Sequence, residues 1–408
     1  MRSRAGLSLT FILPLALALA LAPPHTPTRA SSASGDPVIA AAGDIACGRA
    51  EPNFLKHTCF GRLTSDLILN HPEVDSVLTL GDNQYPCGSY NAFLNSYQQT
   101  WGRFLLSTQP TIGNHEYATT RLECDAQASG YFQYFGAAAS GPRGQSANGQ
   151  DGYYYYDIAG SVTSTVHWRV IVLNANCARV SCAKGSPQEQ FLQSAISSAP
   201  LGYRILAAWH QPYFGGSRLD GPVTPDVAPF WDDLYAAHAA LVLNGHLHYY
   251  ERFVAQDPSG TATPNGLTEI VAGAGGASLG TAKYHPQNEA NYYNAQYGVL
   301  FVTLHGSSFD WQFINTDGIA QDSGSQLLPP LVTGLSPASG SVGAVVTITG
   351  SGFLGATAVT FNLTAATSFT VDSDTQITAT VPGFATTGQV CVTARSTTGC
   401  SAGPFAVT

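Results

Sequence analysis

The sequence predicts an α/β fold with a two-layered sheet, followed by a small all-β domain. Three observations carry that expectation. Short apolar strands alternate with helical stretches through most of the chain, five of those strands end in compact polar clusters, and the composition changes after residue 330 to Val/Thr alternation, Gly-rich turns and almost no charge.

At the start, residues 1–30 read as a secretory signal: Arg2 and Arg4, an apolar stretch from Leu7 to Ala22, and a small residue at Ala30, with cleavage expected between Ala22 and Ala33. No later stretch approaches a spanning length, so an exported, secreted and soluble protein without a membrane span is expected. All 8 cysteines lie beyond the signal, and an even number in an exported chain favours disulfides over metal thiolates. Cys177 with Cys182 and Cys391 with Cys400 are the easiest local pairs. The pairing of Cys47, Cys59, Cys87 and Cys124 stays open, with Cys47–Cys59 and Cys87–Cys124 preferred. The signal holds three of the 17 basic residues and none of the 26 acidic ones, so processing would take the formal charge from -9 to -12. An acidic exported chain with no basic stripe has no general attraction for nucleic acid, which is therefore not expected as an obligatory partner.

The strands and helices follow in order. VIAAAGDI (38–45) and VDSVLTLGD (74–82) are apolar strand cores that stop at Gly-Asp, with a helix expected from Leu63 to Asn70 between them. WRVIVLNAN (168–176), YRILAAWH (203–210) and ALVLNGH (240–246) repeat the pattern. PQEQFLQSAISSA (187–199) opens with proline where a helix can begin and sets Phe191, Leu192 and Ile196 on one face. This alternation points to a largely parallel sheet whose functional residues gather beyond the strand carboxyl ends. LTEIVAG (267–273), YGVLFVTLH (297–305) and SFDWQFIN (308–315) read as strands that close a second layer. Residues 136–152, rich in Gly, Ser and Ala, read as a mobile surface loop near the site, and QDSGSQLLPP (321–330) reads as a polar, proline-terminated linker.

The polar clusters are GDIA (43–46), GDNQY (81–85), GNHE (113–116), AAWH (207–210) and GHLH (245–248). Asp44 and Asp82 each follow a glycine, which lets backbone and cation approach closely. Two carboxylates converging at neighbouring strand ends repel each other and need a positive charge, and Asp82 could bridge two cations with its two oxygens. His246 and His248, two apart in an extended segment, place both imidazoles on one side, each able to take a different metal. Asn114 could lend an amide oxygen, Tyr85 a phenol, and His210 ends an apolar strand. Each alone has a plain structural reading as a turn, a loop His or a satisfied core residue. Together, separate strand ends each supplying a ligand in a chain with only 11 histidines point to a two-metal centre. No CxxC, no Ser-His-Asp arrangement and no phosphate-cradling Gly-rich loop followed by Lys and Ser/Thr competes with it.

This ordered set resembles the calcineurin-like metallophosphoesterases over residues 36–320, and within them Tyr85 in GDNQY and GHLHYYER (245–252) resemble the purple acid phosphatases. Most of the superfamily has a histidine two residues after the first aspartate, where this chain has Ala46; the purple type also lacks it and uses the tyrosine. The resemblance implies a metallophosphoesterase-type β-sandwich flanked by helices. It implies metal one on Asp44, Asp82, Tyr85 and His248, and metal two on Asp82, Asn114, His210 and His246, with Asp82 bridging. A phenol ionises near pH 10 unless a strong Lewis acid holds it, so the resemblance implies Fe(III) at metal one and Zn(II), Mn(II) or Fe(II) at metal two.

His115 would face the substrate as the proton donor to the leaving oxygen or orient the phosphoryl group, making it, with bridging Asp82, the catalytic pair; Glu116 is a candidate to orient it. Purple-type members carry further histidines just after the one matched by His210. Here Gln211, Pro212 and Tyr213 follow and no histidine comes before His238, so acid catalysis would rest more heavily on His115. Arg252 is expected to hold a carboxylate beneath the site, because its register turns it away from the imidazoles. The implied activity is hydrolysis of a small phosphate monoester by metal-activated hydroxide. Phosphodiester or nucleotide cleavage is the alternative, since ligands do not encode the leaving group, and a surface-binding protein without turnover is the third reading.

Beyond the linker, LSPASGSVGAVVTITGSGFLG (335–355) and the alternating AVTFN, QITATV and QVCVTA read as a compact β-sandwich. Residues 331–408 resemble an immunoglobulin-like IPT/TIG domain, with SPASGSVG and GSGF as its turns. Such domains serve as spacers or as binding modules. Contact with a cell surface or a polysaccharide is open to this one, although no row of exposed aromatics commits it to carbohydrate.

Overall fold

The computed structural model describes residues 35–47, 59–119, 122, 124–140, 151–160, 166–219 and 221–408. The signal read in 1–30 and positions 141–150 of the expected mobile loop lie outside the described residues; Gly136–Ser140 form a 3-10 turn.

Two sheets face each other in the larger body. In the first, Val38–Ala42, Ser76–Leu80 and Thr108–Thr111 run parallel, and Gly298–Leu304, Ser308–Asn315 and Ala320–Leu327 extend it antiparallel from the Val38 side. In the second, His167–Val172, Arg204–Ala208, Leu241–Asn244 and Thr268–Ala272 run parallel between antiparallel edges. The expectation of one largely parallel sheet backed by late strands is corrected here: parallel strands are divided between both layers. The reason is visible in the alternation. Ile39 and Ala41 point into the core between the sheets with Leu78, Leu80, Leu206, Ala208, Leu241 and Leu243. Ala40, Ala42 and Val77 point outward to the helix Gly61–Leu69, while Ile205, Ala207 and Val242 point outward to the helices Pro187–Ser197 and Ala228–Ala236. Strands apolar on both faces need cover on both faces, and helix–sheet–sheet–helix layering supplies it.

The segment 321–330 is not a linker for most of its length. Ala320–Leu327 pairs with Ser308–Asn315 as an edge strand of the first sheet, and Leu328 is buried in the core between the sheets. An edge strand with mostly exposed side chains can be polar throughout, so composition alone reads it as a connector.

Strands from Leu331 onward form a separate sandwich of two four-stranded sheets and a two-stranded ribbon, with its own core of Val332, Val346, Ile348, Val359, Ile377 and Val392. Buried Arg204 of the larger body reaches it, donating to Gly306 O (3.0 Å), Pro329 O (3.0 Å) and Ser351 Oγ (3.2 Å). Disulfides join Cys47–Cys59, Cys87–Cys124, Cys177–Cys182 and Cys391–Cys400, the pairing preferred from the sequence. Among the described residues no helix is long and apolar enough to cross a membrane.

Candidate metal centre

The carboxyl ends of the two sheets meet at one rim. Asp44, Asp82 and the GNHE turn follow the parallel strands of the first sheet; His210, His246 and His248 follow strands of the second. Backbone pairing continues past the strands and sets the loops against one another. Asp44 N donates to Gly81 O (3.0 Å), Ile45 N to Asp82 O (3.1 Å) and Gly245 N to His210 O (3.1 Å). Asp44, Asp82 and His246 all take left-handed backbone conformations, with φ of 60°, 47° and 69°. Side chains other than glycine adopt these at a cost of about 1 kcal/mol or more, and such strain collects where a side chain must be aimed. The glycines beside them make room. A Cβ on Gly113 would lie 2.1 Å from Asp82 Oδ1, and one on Gly81, itself at φ 86°, would lie 2.5 Å from His210 Nδ1.

Tyr85 stands at the centre of one half of the site. Its hydroxyl lies 2.7 Å from Asp44 Oδ1, 2.8 Å from Asp82 Oδ2 and 3.0 Å from His248 Nε2, and its one proton can satisfy only one carboxylate at a time. His248 Nε2 is also 3.1 Å from Asp44 Oδ1. In the other half, one ligand atom from each of Asp82, His210 and His246 lies within 4.8 Å of the others, a cluster able to hold a metal ion, and His210 Nε2 is 3.2 Å from Asp82 Oδ2.

Carbonyl groups orient the imidazoles. A carbonyl oxygen can only accept, so His210 Nδ1–H donates to Leu80 O (2.7 Å) and His248 Nδ1–H to Ser278 O (2.5 Å), which turns each Nε2 inward. Asn114 Oδ1 is buried with no hydrogen-bond partner among the described residues, and His210 Nε2 faces only the Asp82 carboxylate. A buried lone pair left unpaired is costly, and the Asn114 oxygen fits a cation as its partner.

Without a cation the charges strain one another. Burial opposes ionisation of Asp82, yet the charges of His210 and His115 hold it well below the usual carboxylate range. Burial likewise opposes the charge on His210 and His248, but Asp82 lifts the first and Asp44 the second, each to about 9. His246 is driven down to about 4 by burial and by the neighbouring charge of His210, so it is neutral and its lone pair free. Burial, with the carboxylates of Asp44 and Asp82, pushes the Tyr85 phenol well above its usual value. Phenolate beside two carboxylates therefore needs a strongly charged cation.

All seven residues read from the sequence as ligands thus lie at this rim, Asn114 between Gly113, which abuts Asp82, and His115, whose N–H donates to Asp82 Oδ1 (2.8 Å). The His115 ring packs tilted against Tyr85, centroids 4.2 Å apart, with Nε2 3.9 Å from Asp82 Oδ2. Its orienting partner is Pro86 O, 2.7 Å from Nδ1, and not Glu116. Glu116 is wholly buried and accepts from Asn83 N, Gln84 N and Gly113 N, so it ties the GDNQY loop to the GNHE turn. Burial and then Asp82 lift its pKa to about 8. Arg252 pairs with Asp322 away from the imidazoles, as its register implies.

Two residues at the rim escaped the sequence reading. Asn176 Nδ2 donates to Gly113 O (3.2 Å), and Gln211 Nε2 donates to Asn176 Oδ1 (3.3 Å). The signal was there, because WRVIVLNAN has the same apolar-strand, polar-end form as the other five.

Residues 330–407 match the family model of the IPT/TIG domain. No curated protein matches the chain significantly. Among solved structures, the chain is similar to the purple acid phosphatase PPD1 isolated from yellow lupin (Lupinus luteus) seeds, with a TM-score of 0.54 and 19% identity over 72% of this chain and 54% of that one. It is also similar to GAP50, the anchor in the inner membrane complex of Plasmodium, with a TM-score of 0.50 and 14% identity over 72% of this chain and 89% of that one. The chain spans about half the length (54%) of the lupin enzyme. At these identities the likeness shows the fold, a metallophosphoesterase-type sandwich. One scaffold carrying a phosphatase and an anchor leaves function to the site.

Proposed function

We propose that the chain is an exported two-metal phosphomonoesterase of the purple acid phosphatase type. The observation that carries this reading is Tyr85, whose hydroxyl lies within 3.0 Å of Asp44, Asp82 and His248 at once. Asp44, Asp82, Tyr85 and His248 would hold Fe(III), and Asp82, Asn114, His210 and His246 a divalent Zn, Mn or Fe, with Asp82 shared. The orphaned Asn114 Oδ1, and His210 Nε2 turned inward beside Asp82, fit that second ion. When bound, the two cations supply the Lewis acidity that activates water for attack on phosphorus and offsets charge on the phosphoryl oxygens.

The remaining work falls to the chain's own groups. His115, held through Nδ1 by Pro86 O, presents Nε2 to the leaving side and donates a proton to the departing oxygen. Its backbone N–H steadies Asp82 Oδ1, so the proton donor and the shared carboxylate move as one unit. Four disulfides support an oxidising destination, consistent with export. The test is elemental analysis combined with hydrolysis of an aryl phosphate. Two transition-metal ions per chain and metal-dependent release of phosphate are expected; less than one metal after iron supplementation, or no turnover when loaded, rejects the reading.

A further inference from the structure

A cavity of about 500 Å³ opens beside Asn114, lined by Tyr117, Asn176, Cys177, Arg179 and Gln211 among others. Its inner wall is built. Asn176 Nδ2 donates to Asn174 Oδ1 (2.9 Å) as well as to Gly113 O, Asn174 Nδ2 donates to Tyr117 Oη (3.0 Å), and Gln211 Oε1 is buried without a hydrogen-bond partner among the described residues. Among the described residues Arg179 is the only charged side chain on the lining. The loop that carries it is closed by the Cys177–Cys182 disulfide, and the N–H groups of Arg179 and Val180 both donate to Asn176 O (2.7 and 3.0 Å). The guanidinium lies 5.9 Å from the Tyr117 ring centroid, and Arg179 forms no ion pair among the described residues. An arginine on an exposed but doubly tethered loop of an acidic chain, with no carboxylate partner among the described residues, is placed to receive an anion from outside.

Building on the phosphoester-hydrolase reading, we propose that this cavity takes the leaving group of the ester and that Arg179 selects leaving groups carrying a second negative charge, a carboxylate or a second phosphate. The scissile phosphate must sit against Asn114 and the metal ligands around it, and the adjoining open space is the cavity. A neutral leaving group placed there gains nothing from the guanidinium, whereas an anionic one gains an exposed ion pair. Pairs of that kind are worth up to about five-fold in affinity and are screened by salt.

Two matched pairs of esters test this. Glycerol 3-phosphate against 3-phosphoglycerate adds a carboxylate; glucose 6-phosphate against glucose 1,6-bisphosphate adds a phosphate. Each pair is measured as kcat/KM on the metal-loaded protein and, with the corresponding phosphonates, as equilibrium binding by calorimetry. The wild type is expected to prefer at least one charged member by about five-fold. That ratio should fall to near one in Arg179→Gln, persist in Arg179→Lys, and shrink as salt rises from about 0.05 to about 0.5 M. Preference confined to one pair identifies the anion as carboxylate or phosphate. Absence of preference in both pairs, absence of phosphonate binding, or a preference that survives Arg179→Gln overturns the assignment. If no ester is cleaved while the phosphonates show an Arg179-dependent preference, the anion subsite stands and the hydrolase reading falls by itself.

Discussion

Arg252 and Asp322 are joined by two hydrogen bonds, Nε to Oδ2 at 2.6 Å and Nη2 to Oδ1 at 3.2 Å. Asp322 Oδ2 also accepts from Tyr250 Oη (2.6 Å) and Trp311 Nε1 (2.9 Å), and the guanidinium lies 4.3 Å over the Trp311 ring. An aspartate from the edge strand therefore anchors the strand that follows GHLH. Asp322→Ala strands a half-buried arginine and two buried donors, and should lower unfolding stability by about 2–3 kcal/mol. A urea midpoint unchanged from wild type would contradict this.

The same anchor sets where the chain can be cut. A chain ending at Pro329 keeps the edge strand, Leu328 and the Arg204 bonds to Gly306 O and Pro329 O, and should stay folded. A chain ending at Ile319 loses Asp322 and should unfold or aggregate. Circular dichroism of the two truncated chains separates the outcomes.

If Tyr85 phenolate binds Fe(III), the oxidised protein should show a broad visible charge-transfer band and a violet to pink colour. Tyr85→Phe should lose the band while the remaining ligands hold a weaker site. An oxidised, iron-loaded protein without the band, or an unchanged band in Tyr85→Phe, removes the purple-type assignment and leaves the broader two-metal reading in place.

His115→Ala should keep both metals and lose turnover by about 10²-fold or more, the usual scale for a positioned proton donor. His248→Ala should instead lose metal one, because its Nε2 faces Tyr85 and Asp44. Metal analysis of the two variants side by side decides the point; equal metal loss would place His115 among the ligands.

His305 bridges two carboxylates, Nδ1 to Asp36 Oδ2 at 2.6 Å and Nε2 to Asp310 Oδ2 at 3.1 Å. Burial opposes its charge, but these partners raise its pKa above the ordinary value. The folded protein thus keeps a proton that the unfolded chain releases near pH 6.5. The clamp's contribution is whole below that pH and is lost as pH rises through the raised folded value. Stability should decline across that window, and His305→Gln should flatten the decline. Matching slopes of urea midpoint against pH in both proteins would show that the clamp contributes nothing.

Asp44, Asp82, Asn114, His210 and His246 were legible because each follows an apolar run, and a run that must be buried as a strand delivers its next polar residue to a sheet rim. Arg179 and Gln211 were not legible as a pair. Thirty-two positions separate them, and they line one cavity only because the ends of the second sheet's strands lie beside the GNHE turn. Glu116 was misjudged as an orienter of His115 because adjacency in sequence says nothing about which backbone N–H groups a buried carboxylate will meet.

Local pattern by itself determined most strands, the two bodies and the two local disulfides, and it singled out the candidate ligands, since hydrophobic periodicity and residue chemistry are properties of short segments. Tertiary structure alone decided that the parallel strands divide between two sheets, that the polar segment from Ala320 to Leu327 is an edge strand, and that Pro86 holds His115. Those outcomes depend on which segments become neighbours, and that is set by packing both faces of each sheet at once, a constraint no single segment contains.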